Sequence, residues 1–435
     1  MSADPGAAAP GAPAAGMRWF RFLVAGNAVS SYGSYLNMVA LNLFALQVTG
    51  SALQTGLIMA ARLAVGFCTG FVSGGVVSRH SRKIVMMAGD SSQALALIAL
   101  LCAPGGSRTV ALYTVAVVAG AGGTLSQVAL RSAVPEMVGA GLRVRANALL
   151  ATGRAFAMVL GFASAGVVVS ALGYRAAFVL DAVTFALSVA TMAWLPIRTR
   201  RAGPPPPGAP GAGLAALRKG LGVLRLTPVL LAMIAIRAVD GFGSASHNVG
   251  LPVYSTALDA GHPAAFVSRF WATWAIGNIV VQRLVVRWAA RTGRGIGEAA
   301  FALGTCAMSA GFILVFTGPP LVLGVAFALL AGMADGFTEN AYLSRLQTVP
   351  DDDRGYVFGC SSMAENLGFG SGTVLTALLL EHHTPLSVVA VSHGTAIGCG
   401  AVFLAALALR RLRAGPGTPE PAVPEPAAPM KEVSS

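Results

Sequence analysis

Charge is what this chain has least of. Only 11% of its 435 residues are Asp, Glu, Lys or Arg, against about 25% in soluble globular domains. With 55% hydrophobic residues and a mean hydropathy of +0.69, hydropathy overrides a length that would otherwise suit about three soluble domains. Acid is scarcest: 17 Asp and Glu stand against 30 Lys and Arg, for a net charge of +13. Those cations sit in short loops between apolar segments and not in the clustered footprint that a nucleic acid requires, so no nucleic-acid partner is expected. Cysteine is also rare. Cys68, Cys102, Cys306, Cys360 and Cys399 all fall inside apolar segments, without metal-ligand spacing, which argues against a zinc site or a disulfide framework. The sequence has no Gly-x-x-x-x-Gly-Lys-Ser/Thr loop and no His-Glu-x-x-His. It therefore has no ATP site of the P-loop kind and no zinc-hydrolase helix, and neither an enzyme nor a cofactor is expected. Lysine is scarce beside arginine, while Ala and Gly abound, a composition associated with GC-rich bacterial genomes.

What the chain does have is apolar runs of about 20 residues, the length that crosses a bilayer. They lie near 20–47, 54–77, 84–103, 109–132, 147–171 and 175–195, and again near 228–256, 264–286, 297–317, 320–343, 356–380 and 386–409. The expected fold class is an all-α integral membrane protein, with twelve transmembrane helices in two six-helix lobes. The domain reading is a disordered tail over 1–17, a first lobe over 18–195, a linker over 196–227, a second lobe over 228–411 and a disordered tail over 412–435. The linker carries Arg198, Arg200, Arg201 and the run Pro204–Pro207, which cannot pack as a helix. Leu214–Leu226, with Arg218, Lys219 and Arg225, reads as a helix lying in the membrane interface.

The cations orient this layout. Arg108 and Arg175 fall on one side, Arg62, Arg154, Arg237 and Arg269 fall inside spans, and every other Lys and Arg falls on the side of the two termini. That asymmetry places both termini in the cytoplasm, with the chain multi-pass in the cell membrane. The halves also echo each other: Arg79-His80-Ser81-Arg82 returns as Arg291-Thr292-Gly293-Arg294, and Val134-Pro135-Glu136 as Val349-Pro350-Asp351. Internal repeats related by a pseudo-two-fold axis are a hallmark of secondary transporters.

Between the second and third runs lies a tight, basic interruption, Gly74-Gly75-Val76-Val77-Ser78-Arg79-His80-Ser81-Arg82-Lys83. It resembles the signature loop of the major facilitator superfamily, Gly-x-x-x-Asp-Arg-x-Gly-Arg-Arg/Lys. Gly74, Arg79, Arg82 and Lys83 match, with Ser78 in place of Asp and Ser81 in place of Gly. The resemblance covers about residues 18–411 and is closest to the drug- and siderophore-exporter branch, similar to the enterobactin and macrolide efflux proteins. Phe20-Arg21-Phe22-Leu23, Val48-Thr49-Gly50-Ser51-Ala52, Arg82-Lys83 with Asp90, and Leu346 through Gly355 carry it. Relatives continue that last stretch with Arg where this chain has Tyr356. The antiporter motif Gly-Pro-x-x-Gly-Gly is reduced to Gly161-Phe162-Ala163-Ser164-Ala165-Gly166. The resemblance implies export of a small organic molecule by alternating access, driven by a proton gradient, by a chain acting as a monomer in the lipid bilayer. It also implies that the loop's Asp faces the start of the eleventh helix and favours the outward-open state, a role Ser78 takes over without charge. Import or facilitated uptake of a nutrient is the alternative, and a non-transporting receptor or scaffold a further one.

Ionisable groups inside lipid cost about 2.5–3.5 kcal/mol on insertion scales, so each marks a candidate function. Arg237 and Asp240 share one face of the seventh run, and Asp335 and Glu339 share one face of the tenth. The last two carboxylates repel each other, which suits a proton carrier. Glu365 and Asn366 lie in the eleventh run, and Arg62 and Arg154 are the deep cations of the first half. Asp90 is read as part of the loop's charge network, and Asp181 as a structural residue nearer a membrane face. Asn27, Ser30, Ser31, Ser34, Asn37 and Asn42 form a polar stripe on the first run that lines the cavity in part. Trp271 and Trp274 suit either ligand stacking or an aromatic belt. The register Arg62, Gly66, Gly70, Gly74 and Ser78 reads as a packing seam. Glu381-His382-His383 reads as a solvated outer loop in preference to a metal site.

Overall fold

Backbone placed in lipid has only itself to hydrogen-bond with, which leaves helices or closed barrels. Among the described residues the chain uses helices alone, with no strand. The computed structural model describes residues 12–138, 143–195, 214–292 and 297–414. In chain order the helices are α1 (Ala12–Thr49), α2 (Ala52–Arg79), α3 (Arg82–Cys102), α4 (Arg108–Val138), α5 (Arg143–Trp194), α6 (Leu214–Leu226), α7 (Pro228–Leu258), α8 (Pro263–Thr292), α9 (Glu298–Val315), α10 (Leu321–Leu346), α11 (Asp351–Leu379) and α12 (Pro385–Ala414).

Nine of the described helices are long and apolar enough to cross a membrane. One of them, α5, runs for 52 residues and crosses twice, because Gly173 adopts φ 79° and ψ 172° in a region open mainly to glycine. The two long helices outside the nine are α1 and α11. Both are polar on one side, and that side faces a cavity described below. With α1, α11 and the second pass of α5, the chain makes twelve crossings. The start of α1 and the end of α12 therefore share one face, called here the terminal face. Apolar residues that meet no protein point outward, as Val391 and Val402 do on α12 at 67% and 71% exposure.

Two bundles result. In the first, α1 packs along α5, and α4 against α2 and α3. In the second, α7 packs against α11 and α12, and α10 against α8 and α9. The bundles touch where α2 meets α11 and where α5 meets α8. The helix α6 lies against the start of α11: Leu224 is buried, Lys219 pairs with Asp353 at 3.2 Å, and its ammonium stands 4.4 Å from the centre of the Tyr356 ring.

The basic interruption is shorter than the sequence implies. The helix α2 continues through Gly74 and Ser78 to Arg79, leaving only His80 and Ser81 before α3. The side-chain surroundings of Gly74 and Ser78 lie outside the described residues, as does the Pro-rich linker through residue 213. Lys83 donates to the carbonyls of Ala193 at 3.0 Å and Leu195 at 2.8 Å. Its charge thus caps the C-terminal end of α5, where unpaired carbonyls and the negative dipole end favour a cation. The glycine seam holds over half its length. A Cβ on Gly66 would meet Thr124 at 3.2 Å and the Gly120 carbonyl at 3.4 Å, whereas one on Gly70 would meet nothing within 4 Å.

Candidate functional site

The two bundles close on the face opposite the termini. There Ala52, Val249, Ala377, Leu380 and Val388 form one buried cluster drawn from both lobes. Deeper in, Phe162 of α5 stacks on Trp271 of α8, ring centres 5.5 Å apart, and meets Tyr35 of α1 edge-on at 5.2 Å. Phe162 stands where the antiporter motif has Pro. Trp271 is buried and also packs on Phe270, His247 and Trp274. It therefore belongs to this closure, and neither the ligand-stacking nor the aromatic-belt reading holds for it.

Below the closure lies a cavity of about 1340 Å³, walled by α1, α2, α3, α4, α5 and α11, with Leu217 of α6 and Tyr356 among its lining residues. Asn27, Ser30, Ser31 and Ser34 of the expected stripe line it, as do Arg62, Arg154, Asp90 and Asn366. Asn37 and Asn42 do not. The helical twist turns Asn37 into the protein, where it hydrogen-bonds Asp181. Arg62 lies deep in the bundle, yet the cavity leaves its side chain accessible to solvent. The guanidinium of Arg154 donates through Nε to the Tyr35 hydroxyl at 2.9 Å. Arg131, Gln93 and Gln127 also line the wall. In the sequence Arg131 counts among the cations of the terminal face, and nothing local marks Gln93 or Gln127 as lining.

Asp90, two turns into α3, accepts from hydroxyls: from Ser126 at 3.2 Å and from Ser188 at 2.8 Å. Asp181 is not near a membrane face. It lies eight residues past the Gly173 break, about 12 Å along the helix, with 1% exposure and with Arg62 as its nearby countercharge. A Cβ on Gly33 would stand 2.6 Å from its Oδ1, so the glycine in α1 makes room for it.

The second lobe holds a separate charged network. Arg237 pairs with Asp240 at 2.8 Å on its own helix and also with Glu339 of α10. Its guanidinium lies 5.7 Å from the centre of the Tyr342 ring. Asp335 accepts from Asn278 of α8 at 3.2 Å, so it bonds to a different helix from Glu339, while its charge still acts on Glu339 and on Arg237. Glu365 accepts from Ser361 at 2.8 Å, and Ser361 lies 2.6 Å from the Tyr342 hydroxyl. Of this group only Asn366, beside Glu365, lines the large cavity.

A third feature joins two helices that are far apart in the chain. His247 of α7 and His393 of α12, both buried, meet at 3.1 Å between Nδ1 and Nε2. Asn248 donates to His247 at 3.3 Å, and Ser309 stands 3.2 Å from His393 Nδ1. Since the Asn amide can only donate there, the chain runs one way, from Asn248 through both rings to Ser309. Phe312 covers it, stacked 3.8 Å from His247. Among the described residues, no three His, Cys, Asp or Glu side chains gather as metal ligands would.

With this geometry in view, the comparisons with known proteins are consistent. No curated protein sequence matches. Among solved structures, the peptide transporter POT in complex with sulfate superimposes with a TM-score of 0.69 at 16% identity, over 91% of this chain and 95% of that one. The nucleoside transporter NupG gives 0.67 at 16%, over 90% and 98%. A bacterial homologue of the iron transporter ferroportin, in its inward-facing state, gives 0.67 at 15%, over 89% and 98%. At such identities the likeness shows the fold. The family model described as Major Facilitator Superfamily matches residues 23–349, three quarters of the chain, and this multi-span membrane protein is a secondary transporter belonging to that superfamily.

Proposed function

We propose that the chain exports a small organic molecule in exchange for protons, with the terminal face in the cytoplasm. The orientation rests on the positive-inside bias of the loops, which makes the present state open to the cytoplasm and closed outside. Direction and coupling rest on the resemblance to drug and siderophore exporters and on one observation: Arg237 is shared between Asp240 and Glu339 on two helices of one lobe. Asp335 and Glu365 exert their charge on the same guanidinium, so four carboxyls answer to one cation inside the membrane. Left ionised, that excess is costly, and it is one that a bound proton balances. A proton on Glu339 would free α10 from Arg237 while Asp240 keeps the guanidinium in place. The pairing between lobe helices would then change with the protonation state, as proton-driven alternating access requires.

The test is transport in sealed everted vesicles carrying the full chain, with an imposed pH gradient and a panel of organic dyes as solutes. Gradient-driven accumulation should vanish in Glu339→Gln or Asp335→Asn, while exchange of solute without a gradient survives. Full gradient-driven activity in both variants and in their combination would remove this network from coupling. Accumulation in the opposite direction only would make the protein an importer.

A further inference from the structure

We infer that the cavity is built for an organic anion, which deepens the transporter reading and rests on it. Among the described residues three arginines line its wall, Arg62, Arg131 and Arg154, against a single lining carboxylate, Asp90. Asp90 is itself nearly buried and occupied: one oxygen accepts from Ser126, the other from Ser188.

The cations stand at graded depths. Counting back from the terminal-face ends of α4, α5 and α2, Arg131 lies about 10 Å in, Arg154 about 17 Å and Arg62 about 26 Å at 1.5 Å per residue. Together they make a cationic path from the open mouth to the closed floor. None of the three has an ion-pair partner within 4 Å among the described residues. Among the described residues Arg154 uses only Nε, on Tyr35, which leaves its two terminal nitrogens for a ligand. Asp181 attracts Arg62 electrostatically but without direct contact.

An arginine kept for structure would be expected to hold a carboxylate. Here the carboxylates of the other lobe are engaged elsewhere, Asp240 and Glu339 by Arg237 and Asp335 by Asn278. The rest of the wall is hydroxyl and amide, notably Ser31, Ser34, Gln93 and Gln127, which suits a polar body behind the charged group. Guanidinium is the side chain matched to the planar or tetrahedral oxygens of carboxylate, sulfonate and phosphate.

The experiment reads the cavity's preference directly, without a known substrate. In a full-length chain lacking its five native cysteines, Ser34→Cys is reacted with two methanethiosulfonate reagents of similar size, one bearing a sulfonate and one a trimethylammonium group. In both cases the same thiolate attacks the reagent's sulfenyl sulfur, forming a mixed disulfide and expelling methanesulfinate, so its ionisation cancels in the ratio of rates. The anion-to-cation ratio, relative to a free thiol in the same buffer, should be about tenfold or more, and it should fall toward one in Arg62→Gln/Arg154→Gln. A relative ratio at or below one, or a ratio that ignores the arginine substitutions, overturns the inference. Asn366→Cys on the facing helix supplies the same measurement where Ser34→Cys does not fold. The same cysteine in sealed vesicles separates this inference from the reading beneath it. Labelling from both faces with no anion preference keeps the transporter and rejects the anion site. Anion preference with labelling from one face only keeps the anion site and rejects alternation.

Discussion

Glu381 and Ser51 belong to different lobes, yet the Ser51 hydroxyl donates to Glu381 Oε1 at 2.8 Å, and the same oxygen accepts the Leu53 amide at 2.8 Å. Ser51 also accepts from the Gln54 amide at 3.2 Å as the N-cap of α2. The loop between α11 and α12 thus sends a carboxylate to the N-terminus of a helix in the other lobe, where free N–H groups and the positive dipole end favour an anion. The expected solvated loop is a latch on the closed face.

The latch titrates in a definite direction. The Leu53 amide, then the Ser51 hydroxyl, hold the Glu381 carboxyl below the usual carboxylate range, with His382 adding a nearby favourable charge. When the face opens, those donors are lost and the ordinary value near 4.3 returns. A group lowered in the closed state stabilises closure at pH above that ordinary value, and the effect is lost as pH falls through the lowered one. Acidifying that face from about pH 7 to below about pH 4 should therefore raise the fraction open to it by a few-fold. Spin-label distances between positions 105 and 318 would report this, and Glu381→Gln should abolish the dependence. An unchanged pH response in Glu381→Gln would assign the effect elsewhere.

Sidedness is open to a simple check. Cysteines introduced at Gly105 and Gly318 of a cysteine-free chain lie at helix ends on the latched face. They should react with an impermeant maleimide added outside intact cells, while one at Arg201 should stay unlabelled. Labelling at 201 would reverse the orientation.

Arg237 shows what the sequence could and could not tell. Its pairing with Asp240 follows from three-residue spacing on one helix face, which any helix imposes. Its second partner, Glu339, lies 102 positions away and no local rule reaches it. The same limit hid the meeting of His247 with His393, 146 positions apart. It also hid Asp181, whose depth depends on a helix break at Gly173 and not on its distance from a charged loop. Twelve crossings, the position of α6 and the polar face of α1 were legible because periodicity and apolar length act locally. Arg62, Arg154 and Asn366 stood out as ionisable or polar groups inside apolar runs and do line the cavity, as does part of the stripe of α1. Nothing local separated them from Asp335, Glu339 or Asp240, since lining is a property of how lobes meet.

Removing Arg237 should be costly for a specific reason. Asp240 is 2% exposed, and its Oδ1 is already without a hydrogen-bond partner among the described residues. Arg237→Ala strands that carboxylate, and loss of one partner of a buried pair costs about 3–5 kcal/mol. The combined Arg237→Met/Asp240→Leu variant should recover most of it. Thermal unfolding in detergent would show the order, and equal destabilisation of both variants would mean the pair matters for more than charge balance.

The histidine chain makes a similar, smaller prediction. His393→Leu leaves His247 Nδ1 without its acceptor and Ser309 without its donor, at a cost of about 1–3 kcal/mol. Each single variant strands two polar groups, and His247→Leu/His393→Leu strands only Asn248 and Ser309, so the double variant should be less destabilised than the sum of the singles. Strict additivity in melting temperature would break the claimed coupling between the rings.

The two faces differ in their latches, and that difference is testable. On the closed face a carboxylate of the α11–α12 loop meets the start of α2. On the terminal face the superfamily's signature would set an Asp of the α2–α3 turn against the start of α11, and this chain has Ser78 there. Restoring it by Ser78→Asp adds an anion near a helix start, worth about 0.3–1 kcal/mol when exposed. That gain is opposed by the acidic opening of α11, Asp351-Asp352-Asp353, but Asp353 already pairs with Lys219 and salt weakens like-charge repulsion in water. The attraction should win narrowly. At about 1.4 kcal/mol per tenfold change, the ratio of terminal-face-closed to terminal-face-open molecules should rise by at most a few-fold. Spin labels at positions 137 and 348 would register it as a gain in the shorter-distance population, partly undone by Arg79→Ala. Unchanged distance distributions in Ser78→Asp would show that the turn acts here only as a charged anchor, with Lys83 on the α5 carbonyls as its working contact.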